Sequence, residues 1–166
     1  MITGRGLATV AALLLLSGCV STAGSQGPVV STPTVGEFAG LLHDFGHKTR
    51  IGTDDAGDPM LMVNEGGDNF IVYFYDCDGS GGGTERRCTG AELNVSYPGK
   101  TVTLDRINEI NRTYRLAKAY VRDSGDPALS MALNTGGTFA GGHVTDSLEW
   151  WQAAMRGFEE DIGWKK

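Results

Sequence analysis

The stretch from Thr101 to Met131, TVTLDRINEINRTYRLAKAYVRDSGDPALSM, passes from a helical hydrophobic period to an alternating one and then turns, all in one short run. A helix and a strand joined so tightly must pack on each other, which leaves few folds open. Thr103 is placed as an N-cap, Asp105 suits the positive end of the helix, and Val102 is positioned to staple onto Ile107. At about 100° per residue, Leu104, Ile107, Ile110 and Tyr114 share one face, and Asn111 falls inside it. The spacing therefore predicts a buried amide at Asn111 that bonds the backbone of a neighbouring strand. From Arg115 to Asp123 the pattern alternates, with Ala117, Ala119 and Val121 against Leu116, Lys118 and Tyr120. Ser124-Gly125-Asp126-Pro127 then reverses the chain.

The remaining segments supply what this unit packs against. Thr34-Val35-Gly36-Glu37 is a capping box, followed by Phe38, Leu41, Leu42 and Phe45 at helical spacing and Gly46 as the stop. Strands are expected at Lys48 to Thr53, Met60 to Asn64, Asn69 to Tyr75 and Thr89 to Tyr97, with turn residues between the first three. Ala128 to Thr135 is the second arm of a hairpin, and Thr135 to Gly142 a glycine-rich connection. Val144, Leu148, Trp151, Met155, Phe158 and Ile162 form the stripe of a last helix, with Trp150 to one side. The expected class is α+β, an antiparallel sheet packed by three helices in the order α-β-β-β-β-α-β-β-α.

Before that domain the chain reads as an export signal. Met1 to Gly18 carries one charge, Arg5, and a short apolar run from Leu7 to Leu16, well under the roughly 18 to 20 residues a membrane-spanning helix needs. Leu16-Ser17-Gly18-Cys19 matches the bacterial lipobox, in which the cysteine thiol takes the lipid, so Cys19 is the expected lipidation site. Residues 19–33 are uncharged and rich in Ser, Thr, Gly, Pro and Val, a flexible tether reaching about 20 Å. The folded domain is expected over 34–166. Val20 follows the cysteine where an aspartate would resemble an inner-membrane retention signal, so the expected location is the periplasmic face of the outer membrane.

Three cysteines in an exported chain leave two after lipidation, and an oxidising compartment favours pairing them. Matching apolar faces sets Phe70 across from Val95, Val72 across from Leu93 and Phe74 across from Ala91. The same register puts Cys77 opposite Cys88, on the face of Tyr73 and Glu92.

Candidate chemistry is sparse. Asp76-Cys77-Asp78-Gly79-Ser80-Gly81 begins like a calcium loop, but Arg87 stands where the bidentate carboxylate belongs. His43 and His47 are four apart, with Gly46 ending the helix between them and no third ligand in sight; surface histidines are the expectation. The glycine-rich 135–142 connection lacks the lysine of a phosphate-binding loop. The net charge of -6 and the absence of a basic stripe argue against a nucleic-acid partner. No cofactor, metal or catalytic residue is expected. A metal-dependent enzyme built on the carboxylates of Asp54 to Asp58 or Asp76 to Glu85, and a small-ligand binder, are the rival readings. Tyr73 and Tyr75, with Ile71, lie opposite Phe70, Val72 and Phe74, and together with Trp150 are candidate contacts for a protein partner.

The run LDRINEINRTYRLAKAYVRDSGDPAL, with NFIVYFYDC before it and DSLEWWQAAM after it, resembles the YbjN family of bacterial sensory transduction regulators from about Phe38 to Ile162. The matching features are Asn108, Asn111, Arg112, Arg115, Ala117, Ala119, Tyr120 and Asp126, while Ile110 departs from the aromatic that relatives often have. The resemblance implies a type III secretion chaperone-like fold and no catalytic motif. The expected function is a non-catalytic, lipid-anchored envelope protein that binds another polypeptide or a second copy of itself, with a regulatory role in stress or sensory signalling.

Overall fold

The computed structural model describes residues 29–65, 68–79, 83–140 and 142–164. The expected export signal, the expected lipidation site Cys19 and the part of the expected tether up to residue 28 lie outside them.

Six strands form one antiparallel sheet. They are β2 (Lys48–Thr53), β3 (Pro59–Glu65), β4 (Asp68–Cys77), β5 (Cys88–Ser96), β6 (Lys118–Val121) and β7 (Pro127–Asn134), in the order β2-β3-β4-β5-β7-β6. Three helices, α1 (Val35–Asp44), α2 (Leu104–Thr113) and α3 (Gly142–Asp161), complete an α+β domain in the expected order. A two-stranded pair, β1 (Val29–Ser31) with β8 (Thr138–Ala140), adds to it. β1 falls in the stretch read as tether and β8 in the stretch read as a loop. Neither has a periodic pattern long enough to announce a strand, and each forms because the other lies alongside. A backbone bond from Thr32 N–H to the Gly137 carbonyl (2.9 Å) and a bond from Gly137 N–H to the Thr32 side-chain Oγ1 (3.0 Å) continue the pairing. Val29–Ser31, inside the stretch expected as a tether, is therefore a strand.

Local chemistry sets the helix ends. Thr34 Oγ1 accepts the Glu37 N–H (3.1 Å) while Glu37 Oε2 accepts the Thr34 N–H (2.7 Å), both halves of the capping box. At the other end Gly46, at φ +86°, donates to the His43 carbonyl and His47 to the Leu42 carbonyl. That paired closure needs a left-handed residue, which glycine supplies without strain. α3 closes in the same way at Gly163, with Trp164 N–H reaching the Glu159 carbonyl.

One sheet face and the three helices share the core. Leu61, Val63, Phe70, Val72, Phe74, Ala91, Leu93, Val95, Leu129 and Met131 are buried on the sheet side. Val35, Phe38, Leu42, Ile107, Ile110, Leu148, Trp151, Met155 and Phe158 meet them from the helices. Phe38 stands edge-on to Phe74 at 5.4 Å between ring centres, and Trp151 edge-on to Phe70 at 5.8 Å. At roughly 1.5–3 kcal/mol for each large apolar side chain fully withdrawn from water, this layer supplies the main drive to fold.

Three expectations need correcting. Leu104 is 68% exposed: it is the first residue of α2, and the turn that meets the sheet begins at Ile107. His47 is buried, not a surface side chain, because the chain reversal at Gly46 turns it inward against Phe70, ring centres 5.5 Å apart. The alternating segment from Arg115 to Asp123 is a strand only over Lys118–Val121, where β7 offers a partner.

Candidate functional site

Among the described residues the helices cover one side of the sheet and leave the other open. Register defines that open face row by row. One row runs Arg50, Met62, Ile71, Asn94, Ser130, Lys118 across all six strands, and the next runs Gly52, Met60, Tyr73, Glu92, Ala132. Antiparallel sheets commonly solvate one face, but such a face is then usually polar. Here Met60, Met62, Ile71 and Tyr73 form a half-buried apolar strip in its middle, with Tyr75 beyond it at 42% exposure.

Small residues shape this surface. A Cβ on Gly52 would stand 2.8 Å from Met62 Cε and 3.3 Å from Met60 Cε, so a bare backbone at the edge strand is what lets both thioether chains lie over it. Arg50 Nη2 reaches Met62 Sδ at 2.8 Å. Across the sheet, Asn94 Nδ2 donates to Tyr120 Oη (2.7 Å) and also lies 3.1 Å from Glu92 Oε1. Its reach crosses β7, where Ala128 and Ser130 are small enough to be buried beneath. The Lys118 ammonium stands 5.8 Å from the centre of the Tyr120 ring. Desolvation and the neighbouring Glu92 carboxylate raise the Tyr75 pKa above the ordinary phenol value.

Two open grooves follow from the relief of this face. One, of about 820 Å³, is lined by Lys48, Arg50, Met62, Ile71, Asn94, Ser96 and Arg122, among others. The second, of about 480 Å³, lies between Tyr73, Asn94, Tyr120 and the 121–124 turn. They share Asn94 and Arg122.

The structure separates the three aromatics read as partner contacts. Tyr73 and Tyr75 lie on the open face. Trp150, 53% exposed, projects from α3, whose apolar stripe packs on the opposite face of the sheet. A helix stripe and a strand alternation are each visible in one segment, but which sheet face the helix covers is not. Sequence reasoning also missed Met60, Met62, Asn94 and Arg122 as members of this surface. Alternation in their own strands carried the signal for the first three; the strand order that joins them to Tyr120 had none.

Asn111 is half-buried, not enclosed. Its Nδ2 donates to the Ala119 carbonyl (2.9 Å) and its Oδ1 accepts the Ala119 N–H (2.7 Å). Ala119 lies on β6, the last strand of the sheet, so the amide stands in for the missing neighbour of an edge strand. Cys77 and Cys88 are paired in the register, and their sulfurs are bonded, with Cα atoms 3.9 Å apart. The bond packs against the core instead of lying with Tyr73, because Asp76, at φ +51°, interrupts the alternation just before Cys77.

His43 is exposed, whereas His47 Nε2 meets Gln152 Nε2 at 3.0 Å inside the fold, so the two do not converge. Among the described residues no group of three or more His, Cys, Asp or Glu comes together in a way that could hold a metal ion. Asp54 is engaged in its own turn, its Oδ1 accepting the N–H groups of Ala56 and Asp58, and Asp58 pairs with Arg86 at 3.2 Å. No helix among the described residues is long and apolar enough to cross a membrane.

Fold and face together define an α+β sheet domain with its helices on one side and an open, partly apolar sheet surface on the other. Over residues 34–164 the chain matches the model of the YbjN family, described as "Putative bacterial sensory transduction regulator", and it belongs to that family. Membership fits a non-catalytic regulatory role. A comparison with curated proteins found no significant match, and neither did one with solved structures.

Proposed function

We propose that this is a non-catalytic envelope lipoprotein, held through lipid on Cys19 at the periplasmic face of the outer membrane, whose YbjN domain regulates by binding another polypeptide on its open sheet face. The observation that carries the reading is the strip of Met60, Met62, Ile71 and Tyr73, half-buried and uncovered by any described element while all three helices serve the other face. Methionine and tyrosine suit such a role, since both supply large contact area, the first adaptable and the second amphipathic. A short tether to the membrane keeps this face near other envelope proteins.

A photo-crosslinking residue at position 73 or 75 in cells tests it. A discrete polypeptide should be captured from those positions and not from position 150, and Tyr73→Asp should abolish capture from position 75 without lowering the melting temperature. Equal capture from both sides of the domain would overturn the choice of face.

A further inference from the structure

We infer that the partner segment docked on the open face is extended and acidic, its carboxylates held by Lys48, Arg50 and Arg122 along the larger groove. This rests on the protein-binding reading above and adds the chemistry of the partner.

The chain as a whole is acidic, with a net charge of -6, yet the side chains lining this groove include three cations and no carboxylate. Among the described residues none of the three is in an ion pair, and Arg50 meets the Met62 sulfur, a weak acceptor. Arg86 pairs with Asp58, Arg87 with Glu37, and Arg106 with both Glu109 and Asp161, whereas Arg112, Arg115 and Arg156 are single exposed cations elsewhere, so what marks the groove is three cations gathered in one concavity. Arg122 acts on Asp126 of its own turn without an ion pair to it, and Lys48 and Arg50 face no carboxylate in the groove lining; cations gathered in such a concavity are a charge pattern awaiting its complement, and at physiological salt the distant negative surface is screened beyond about 8 Å.

The shape selects an extended ligand. Lys48 and Arg50 are on β2, which ends the sheet, and Arg122 follows β6 at the far side. Between them lie Met62, Ile71 and Asn94, an apolar strip ending in an amide. A strand-like segment alternating acidic and apolar residues, lying across the strands, would place apolar side chains on Met62 and Ile71 and carboxylates toward the rims. Arginine offers carboxylate a two-pronged, charge-assisted hydrogen bond.

The test uses the full chain and two labelled peptides, one alternating glutamate with valine and the other alternating lysine with valine. The glutamate peptide should bind, more weakly as salt is raised. Arg50→Glu and Arg122→Gln should each weaken it by about tenfold, with unchanged melting temperatures. The lysine peptide should not bind. Equal binding of both peptides, or of neither, would overturn the inference, as would indifference to the two substitutions. Binding of the protein to phosphatidylglycerol vesicles, lost in Arg50→Glu while the glutamate peptide stays unbound, would assign the groove to an anionic lipid surface instead. If the position-73 crosslink in cells persists in Arg50→Glu and Arg122→Gln, a protein partner remains and only its acidic character is refuted.

Discussion

A single amide at position 111 closes the edge of the sheet. With both bonds to Ala119 lost and a backbone N–H and carbonyl left to compete for water in a half-buried site, Asn111→Ala should cost on the order of 1 to 3 kcal/mol, measured as a shift in the urea midpoint at constant slope. Asn111→Asp, which keeps the acceptor but not the donor, should fall between wild type and alanine. A second residue-scale contact ties α2 to α3. Tyr114 Oη donates to Asp161 Oδ2 at 3.2 Å, and burial together with the Asp161 charge raises its pKa to about 12. Because the folded value lies above the ordinary phenol value, the contribution is present below about pH 10 and fades as the pH rises toward 12. Gly157 makes room for that ring: an added Cβ would overlap the Tyr114 hydroxyl. Gly157→Ala gains up to about 1 kcal/mol of helix propensity but displaces the bond to a carboxylate, so a net loss on the order of 1 kcal/mol is expected. A spectroscopic titration of Tyr114 in that variant should return its pKa toward the ordinary phenol value.

Among the elements, the β4–β5 hairpin does more than contribute strands. The segment just before Cys88 receives the start of α1, Val35 N–H bonding the Arg86 carbonyl (2.9 Å) and Gly36 N–H the Thr84 carbonyl (2.8 Å). Arg87 adds Nη1 contacts to the Thr32 carbonyl and to Glu37. The disulfide, spanning 11 positions, therefore fixes both the hairpin and the place where the chain enters the domain. Reduction should lower stability by about 2 to 3 kcal/mol on the loop-entropy estimate and should speed amide exchange at Val35 and Gly36 before the central strands. Exchange lost evenly over the whole sheet would show that the hairpin has no local role. Acid should act on the same end, since hydrogen bonds from Thr34 and the charge of Arg87 hold the Glu37 pKa below its usual value. That contribution is complete above the usual glutamate range and is lost as the pH falls through the lowered pKa.

At the scale of the whole molecule, the proposed lipid on Cys19 sets where the sheet face is presented. Cys19→Ser should move the protein from the membrane fraction to the soluble one and abolish fatty-acid labelling; a variant still labelled would contradict lipid attachment at this residue. The same variant should melt at the same temperature as the lipid-free wild-type domain, because Cys19 lies upstream of every element described. Crosslinking from position 73 should disappear in it if the partner is reached from the membrane.

What the chain determined by itself is local. Helix ends at Thr34, Gly46 and Thr103, the alternation of Phe70, Val72 and Phe74, and the pairing register that sets Cys77 opposite Cys88 all depend on residues close in sequence or on matching two apolar faces across one hairpin. Sequence carries that information because each choice is decided within a turn of helix or a few steps of strand. Tertiary structure decided the rest. It turned His47 inward, left Leu104 in solvent, paired Val29–Ser31 with Thr138–Ala140, and placed β7 between β5 and β6 so that Asn94 reaches Tyr120. It also put Trp150 on one side of the domain and Tyr73 on the other. Each of these turns on which distant segments become neighbours, and that is settled by how the whole apolar surface is best covered, not by any local pattern.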